Sequence, residues 1–392
     1  MESELNYKKN KQFWLLSLSS TLFFGSFNMM IPELPSYLES LGGGEFKGLI
    51  ISLFTVTALI SRPFSGKLTD TIGRIPVMII GASVALIAGV LYPVMASVGG
   101  FLFLRLFHGF STGFKPTATA AYISDIVAPN ERGEAMGVYG VFASSGMAIG
   151  PMIGSYASQY IGMNGVFYLS SFMSFLSVAV IFGMKETLVT KQPMAVKFLH
   201  IKFTDFYEKD VLPVAITFLL TTIPFGIILT LIPDLSDHLG IANRGTFFSI
   251  FVVSSITVRF ISGKVSDKFG RVPVLIASSF LIGVSVTIIS LATTPTIFYL
   301  GGILFGLAAG MNSPTIFAWT IDRSNEKHRG RAMSTLYMFL EFGIGSGAAI
   351  SGFIYGNDPD MFNFAFGFGA VSAFLACGYL VHFHFFGTQR RY

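Results

Sequence analysis

Residues 65–77 read SGKLTDTIGRIPV, a short polar turn between two long apolar runs. The same turn occurs again, because residues 258–275 (VRFISGKVSDKFGRVPVL) repeat residues 61–78 (SRPFSGKLTDTIGRIPVM) at an offset of 197, with nine of eighteen positions identical. A repeat of about half the chain length indicates two copies of one folding unit. The sequence therefore predicts two homologous halves.

Composition indicates a membrane protein independently of the repeat. Hydrophobic residues make up 52% of the chain and charged residues only 12%, whereas a soluble domain carries about 25% charged residues. The single cysteine, Cys377, lies in the last apolar segment and supports neither a disulfide nor a metal site. Phosphate-loop and nucleophile-elbow motifs are absent, as is a basic stripe interleaved with aromatics. We therefore expect no enzyme, no cofactor and no nucleic-acid partner.

Twelve apolar segments are long enough to cross a bilayer, which requires about 20 residues. Six fall in each half, so the predicted fold is an all-α membrane protein with twelve transmembrane helices in two pseudo-symmetric six-helix bundles. The predicted domains are residues 1–184 and 211–392, joined by a linker at 185–210. The predicted spans are 13–38, 47–66, 76–97, 99–123, 133–157, 164–184, 211–235, 246–263, 273–292, 296–320, 331–355 and 362–386.

Lysine and arginine fall almost entirely on one side of the predicted membrane. Only Lys47 and Arg244 fall on the other side. The positive-inside rule then predicts an integral plasma (inner) membrane protein with both termini cytoplasmic. The linker alternates Lys with Phe and Leu, which suits a segment on the inner membrane surface, although a plain tether explains it as well.

The repeated turn also carries a family resemblance. Its pattern G-K-L-T-D-x-x-G-R-x-P resembles the loop between helices two and three of the major facilitator superfamily of transporters, where the second half carries a weaker copy. The resemblance covers essentially the whole chain, and it implies alternating access by rocking of the two bundles. It also implies a gating role for the turn, with Asp70 bracing the outward-open state. The gating positions are Gly66, Asp70, Gly73, Arg74, Gly263, Asp267 and Arg271.

The fifth predicted span reads GVYGVFASSGMAIGPMIGS at residues 137–155. This pattern is similar to the motif that marks the twelve-helix drug:proton antiporters of the superfamily. Three of its glycines lie four residues apart on one helix face, where another helix can pack closely, and such packing is a compatible alternative explanation. The motif positions are Gly137, Gly146, Gly150, Pro151 and Gly154, and Ser155 stands where the family has glycine.

The fourth predicted span begins its polar face with RLFHG at residues 105–109, which resembles the family motif R-x-x-Q-G with His108 in place of glutamine. Arg105, His108, Thr112 and Lys115 lie within about 80° of arc, so they share one helix face. Cations at membrane depth predict a water-filled cavity or carboxylate partners, although Arg105 alone could be a helix-to-helix hydrogen bonder. A cationic cavity favours anionic or zwitterionic substrates.

Few carboxylates are placed to carry a coupled proton. Glu341, about ten residues into the eleventh span, is the first candidate, and Glu33 and the repeat-related Asp234 follow, with Arg105 as a possible partner. A structural ion pair is the alternative for both Glu341 and Glu33. The resemblance places the transport path along several spans, with Asn28 near where several relatives carry an acid. The cavity candidates are Asn28, Arg105, His108, Thr112, Lys115, Thr221, Thr222, Asn312, Trp319, Tyr337 and Glu341.

The predicted function is secondary active transport. Proton-coupled export of small amphipathic or drug-like molecules is the preferred interpretation. Proton-coupled uptake of a nutrient or metal chelate is an alternative, and a lipid flippase or sensor on the same fold is another. The expected partners are a small-molecule substrate, protons and the lipid bilayer, and the family resemblance implies a monomer.

Overall fold

The computed structural model describes residues 7–95, 97–127, 132–188, 191–194, 207–324 and 329–386. Most of the predicted linker and the basic residues Arg390 and Arg391 lie outside the described residues. Within them the chain is all-helical, as expected from the apolar segments. Its helices are α1 (Lys11–Asn28), α2 (Leu34–Ser40), α3 (Lys47–Thr71), α4 (Arg74–Leu91), α5 (Val98–Ile126), α6 (Arg132–Phe182), α7 (Leu212–His238), α8 (Thr246–Phe269), α9 (Arg271–Ser290), α10 (Pro295–Arg323), α11 (Arg329–Tyr355) and α12 (Phe362–Phe386).

Three of the predicted spans differ from the observed helices. The first predicted span is broken, because α1 ends at Asn28 and a 3-10 turn at Ile31–Glu33 precedes α2. Pro32 and Pro35 explain the break, since neither can donate the backbone hydrogen bond that a continuous helix needs. The fifth and sixth predicted spans form one continuous element, α6, which is interrupted only at Gly162, where φ is +66° and ψ is 176°.

The predicted membrane character is confirmed for much of the chain. In the described residues, nine helical segments are long and apolar enough to cross a membrane. The count of twelve spans therefore stays a prediction.

The chain forms two compact units that follow the two sequence halves with one exchange. The first unit comprises Met1–Gly44, Leu53–Tyr207 and Asn243–Ser249. The second comprises Glu45–Ser52, Glu208–Ala242 and Ile250–Tyr392. We call Glu45–Ser52 and Asn243–Ser249 the exchanged segments, because each comes from one half of the sequence and belongs to the unit built mainly from the other.

Glycines allow the closest helix packing in the first unit. Gly146, Gly150 and Gly154 of α6 lie directly against the backbone of α1 and the residues that follow it, around Thr21, Gly25 and Met29. A side chain at any of these three positions would clash with that backbone, as expected for a small-residue packing face. In the second unit, Gly343 and Gly347 of α11 lie in the same way against α7.

Candidate functional site

A cluster of cationic and aromatic side chains lies inside the first unit. Arg105 is 1% exposed and His108 is fully buried, and both lie beside Tyr92 at the end of α4. The Arg105 guanidinium donates to the Tyr92 hydroxyl at 3.3 Å and lies 4.7 Å from the centre of the Phe54 ring. The Tyr92 hydroxyl is 3.4 Å from His108 Nδ1, while Nε2 of His108 is buried without a hydrogen-bond partner. Tyr92, which the sequence did not single out, therefore joins the two family-motif positions.

Lys115 lies two turns further along α5 and is 1% exposed. Its amine donates to the backbone carbonyl of Ser19 at 2.9 Å and lies 4.6 Å from the centre of the Phe23 ring. Gly81 allows α4 to pack closely on α5 at this point, because a Cβ there would approach the Lys115 backbone nitrogen to 2.6 Å. Among the described residues no carboxylate forms an ion pair with Lys115, so a backbone carbonyl and an aromatic face replace the acid partner that the sequence made plausible.

The helices around this cluster contain no acidic residue at membrane depth. Residues 13–28 of α1, 75–91 of α4 and 135–182 of α6 contain no Asp, Glu, Lys, Arg or His. The acids of this unit's membrane helices lie near the helix ends, at Glu39, Asp70, Asp125 and Glu134. The ionisable groups of the cluster are therefore basic, and no carboxylate at membrane depth on these helices balances the positive charge that they carry when protonated.

The second unit holds the other predicted site residues. Glu341, in the middle of α11, is 6% exposed. Asn312 is 3% exposed, donates to Ser278 Oγ at 3.1 Å and accepts from the Thr221 hydroxyl at 3.3 Å. The aromatic candidates lie in ring contacts, Tyr337 with Phe317 and Trp319 with Phe383.

Three further polar candidates bond to their own helices. Asn28 donates to the Phe24 carbonyl at 2.7 Å, Thr112 to the Gly109 carbonyl at 3.2 Å and Thr222 to the Phe218 carbonyl at 2.8 Å. All three are buried. The donor group of each side chain is therefore hydrogen-bonded within its own helix. A role of these side chains in substrate binding stays a proposal.

The first copy of the repeated turn is a charge network. Arg74 bonds to Asp125 at 3.0 Å, to the more exposed Asp70 at 3.2 Å and to the Thr69 carbonyl at 2.6 Å. Asp125 also accepts from the Thr187 hydroxyl at 2.6 Å. The predicted gating residues Asp70 and Arg74 are thus brought together. Asp125 completes the network.

Glu186, in the chain segment that follows α6, caps the start of α4 at the same turn. Its carboxylate accepts from the backbone N–H groups of Arg74 and Ile75 at the start of α4, and from those of Thr187 and Leu188. Burial opposes its ionisation, but the four backbone donors outweigh that effect and lower the pKa of the Glu186 carboxyl. The turn fits this carboxylate because Gly73 adopts φ +120°, and a Cβ there would approach Glu186 Oε2 to 2.5 Å.

The second copy of the turn keeps the arginine network, but in the part of the chain that the structure describes no side chain caps the start of α9. Arg271 bonds to Asp267 and, at 2.9 Å, to Asp322, and Gly270 has φ +90° like its counterpart Gly73. The position equivalent to Glu186 is Phe383, which lies on α12. Gly263 lies within α8.

Ser155 stands where the antiporter motif has glycine, and its hydroxyl contacts Glu33. The Ser155 hydroxyl donates to Glu33 Oε1 at 2.7 Å, and Arg244 pairs with Glu33 Oε2 at 3.3 Å. Arg244 belongs to the exchanged segment Asn243–Ser249, whose Gly245 lies against the Pro151 backbone. The exchanged segment Asn243–Ser249 therefore packs on α6 through Gly245. Its Arg244 pairs with Glu33, the carboxylate to which Ser155 of α6 also donates.

The second unit repeats this arrangement. Lys47, in the exchanged segment Glu45–Ser52, pairs with Asp234 at 2.7 Å, with side chains only 6% and 11% exposed. The next residue, Gly48, lies against the backbone of Ala348 and Gly352 on α11. Lys47 and Arg244 are 197 apart, as are Gly48 and Gly245, while Glu33 and Asp234 are 201 apart. The two ion pairs are therefore equivalent under the internal repeat.

Metal chemistry has no candidate site in the described residues. No group of three or more His, Cys, Asp or Glu side chains is placed to hold a metal ion there.

Comparison with known proteins identifies the family and similar folds. The family model described as Major Facilitator Superfamily matches residues 16–241 and 214–391. The multi-drug resistance efflux pump PmrA of Streptococcus pneumoniae is 27% identical over 89% of this chain and 91% of its own. The multidrug resistance protein MdtG of Escherichia fergusonii is 27% identical over 96% and 93%. The crystal structure of the human organic anion transporter MFSD10 (TETRAN) is similar in fold, with a TM-score of 0.76 at 19% identity over 94% of this chain and 98% of its own.

Proposed function

The chain belongs to the Major Facilitator Superfamily of membrane transporters, and we propose that it is a proton-coupled antiporter that exports small amphipathic or drug-like molecules. Relatives named as multidrug efflux proteins support the export of drug-like molecules. Alternating access between two units would carry the substrate across. We further propose the inner membrane as its location, with both termini cytoplasmic, and a monomer as the working form.

The observation that carries the proton coupling is the burial of Glu341. Glu341 lies in the middle of α11 and is only 6% exposed, so desolvation destabilises its charged form. A carboxylate in such a position can bind a proton in one state of the transport cycle and release it in another, when water reaches it. Glu33 and Asp234 each pair with a cation, which favours the charged form of their carboxylates. We therefore assign the coupled proton to Glu341 and an ion-pair role to Glu33 and Asp234.

The charge of the first unit supports a substrate class. Arg105, His108 and Lys115 lie in an interior without neighbouring acids, which would attract an anionic group and repel a simple organic cation. Aromatic rings at Phe54 and Tyr92 would accept the apolar part of an amphipath. We propose anionic or zwitterionic amphipaths as the preferred substrates.

Reconstituted vesicles test this function. Purified protein is placed in liposomes with trapped pyranine, which reports internal pH, and a pH gradient is imposed. Anilinonaphthalene sulfonate, rhodamine B and ethidium then serve as anionic, zwitterionic and cationic probes. Proton movement coupled to one of the first two probes, and lost in Glu341→Gln, supports the proposal. Proton movement in the same direction as the probe would instead support an uptake symporter, and lipid movement without protons would support a flippase.

A further inference from the structure

Lys115 and Asn312 occupy the same position in the two copies of the repeat. They are 197 residues apart, as are the flanking pairs Gly113 with Gly310 and Asp125 with Asp322. Both side chains are buried, at 1% and 3% exposure. The same slot therefore holds an ionisable amine in the first unit and a neutral amide in the second.

The second unit shows what packing alone requires of this slot. Asn312 on α10 donates to Ser278 on α9 and accepts from Thr221 on α7. One neutral side chain thus ties three helices together with both of its polar atoms hydrogen-bonded, which is the stable arrangement for a buried amide.

The first unit departs from this arrangement and leaves a polar atom unsatisfied. Gly81 stands at the position of Ser278, and Ser20, at an offset of 201, stands at the position of Thr221. The Ser20 hydroxyl is buried without a hydrogen-bond partner, whereas the Lys115 amine bonds to the carbonyl of the preceding residue, Ser19. An unsatisfied buried hydroxyl is destabilising, so the lysine is not the choice that packing favours.

The amine is placed to exist in two protonation states. Burial away from water disfavours the charged form of an amine, whereas the Ser19 carbonyl and the Phe23 ring stabilise it. The membrane-depth stretches of α1 and α4 contain no ionisable residue, and that of α6 contains only tyrosines, Tyr139, Tyr156, Tyr160 and Tyr168. The ionisable residues of α3 are Lys47, Arg62, Lys67 and Asp70. On α5 itself the ionisable residues are Arg105, His108, Tyr122 and Asp125.

We propose that Lys115 is a second proton-exchanging residue, which gives up and regains one proton during each transport cycle. This inference rests on the proposed proton coupling and adds a basic group in the first unit to Glu341 in the second. In the step, one N–H bond of the ammonium breaks, its electron pair stays on nitrogen, and the proton passes to water that reaches the unit when it opens. The Lys115 amine is buried between α1 and α5. Lys115 therefore exchanges a proton and does not contact the substrate directly.

A pH profile tests this role without any substrate. In a Cys377→Ser background, Ser52→Cys gives a single thiol at a position that is 7% exposed in the second unit. Its labelling rate with a maleimide is measured from about pH 6 to pH 9, a range across which a perturbed amine can titrate. The profile is then compared in Lys115→Asn, which imports the side chain of the second unit, and in Lys115→Arg, whose guanidinium stays charged across this range. Asn312→Ala is the matched control, because it disturbs the equivalent slot without removing an ionisable group.

We expect the wild-type profile to contain a transition that both Lys115 variants lose, with a several-fold change in labelling rate at one end of the range. Asn312→Ala should keep the transition. A flat wild-type profile, or Lys115 variants with the wild-type profile, would overturn the role of Lys115. If the vesicle assay shows coupled proton movement while the profile is unchanged by Lys115 variants, only this inference fails. If the vesicles show no proton movement, the proposed function fails instead.

Discussion

The Lys47 amine lies 2.7 Å from an Asp234 carboxylate oxygen, and the internal repeat reproduces this ion pair in Arg244 and Glu33. Each pair holds an exchanged segment on the unit to which it belongs. The helices α3 and α8 continue from these segments into the other unit. Because the pairs are largely buried, loss of one partner leaves an uncompensated charge.

Asp234→Asn should expose the exchanged segment that carries Lys47. In the Cys377→Ser background, we expect maleimide labelling of Ser52→Cys to rise several-fold, because the lost carboxylate weakens the hold on the first turn of α3. Glu33→Gln with Ser249→Cys is the matched test in the other unit, since positions 52 and 249 are equivalent under the repeat. The charge reversal Lys47→Asp with Asp234→Lys should restore slow labelling. Unchanged labelling in Asp234→Asn would show that the ion pair does not hold the segment.

Glycines of one motif should differ sharply in their tolerance of alanine. Gly154 lies against the Met29 backbone, whereas nothing lies within 4 Å of a Cβ placed on Gly137. Gly154→Ala forces α6 away from the end of α1, and we expect a loss of about 1–3 kcal/mol of stability, as for other overpacked sites. Gly137→Ala should not lower the melting temperature, because alanine is the better helix former. Equal melting temperatures for the two variants in detergent would contradict the packing account.

Glu186→Gln should weaken the cap on α4 and with it the first copy of the turn. We expect a loss of about 1 kcal/mol or less, since a half-exposed carboxylate at a helix N-terminus contributes on that scale. The pKa of Glu186 is lowered in the folded protein, so its contribution is complete above the pKa of a free glutamate and is lost as pH falls through the lowered value. The melting temperatures of wild type and Glu186→Gln should therefore differ at neutral pH and converge in acid. A difference that persists at low pH would mean that the carboxylate charge is not the cause.

Much of the fold follows from the sequence because it depends on patterns that are local or repeated. The turn at residues 65–77 and its copy predict two similar units, and apolar length predicts the helices. The break after Asn28 could have been predicted from Pro32 and Pro35, which cannot donate within a helix. The interruption of α6 at Gly162 was predicted as a boundary between two spans.

The site could be predicted only in part, because its contacts join distant residues. Lys47 and Asp234 are 187 residues apart, and no local pattern reveals their pairing. A signal nevertheless existed, since Lys47 and Arg244 were the only basic residues on one side and the two acids were already related by the repeat. Glu186 gave no such signal, because a single acid in a connecting segment is indistinguishable from a solvated one.

The most direct measurement of the central claim is proton movement in vesicles that contain the purified protein under an imposed pH gradient. Our account predicts that anilinonaphthalene sulfonate or rhodamine B drives proton movement opposite to its own, that ethidium does so less, and that Glu341→Gln abolishes it while the protein stays folded. Folded wild-type protein that moves no protons with any of the three probes would contradict proton-coupled antiport.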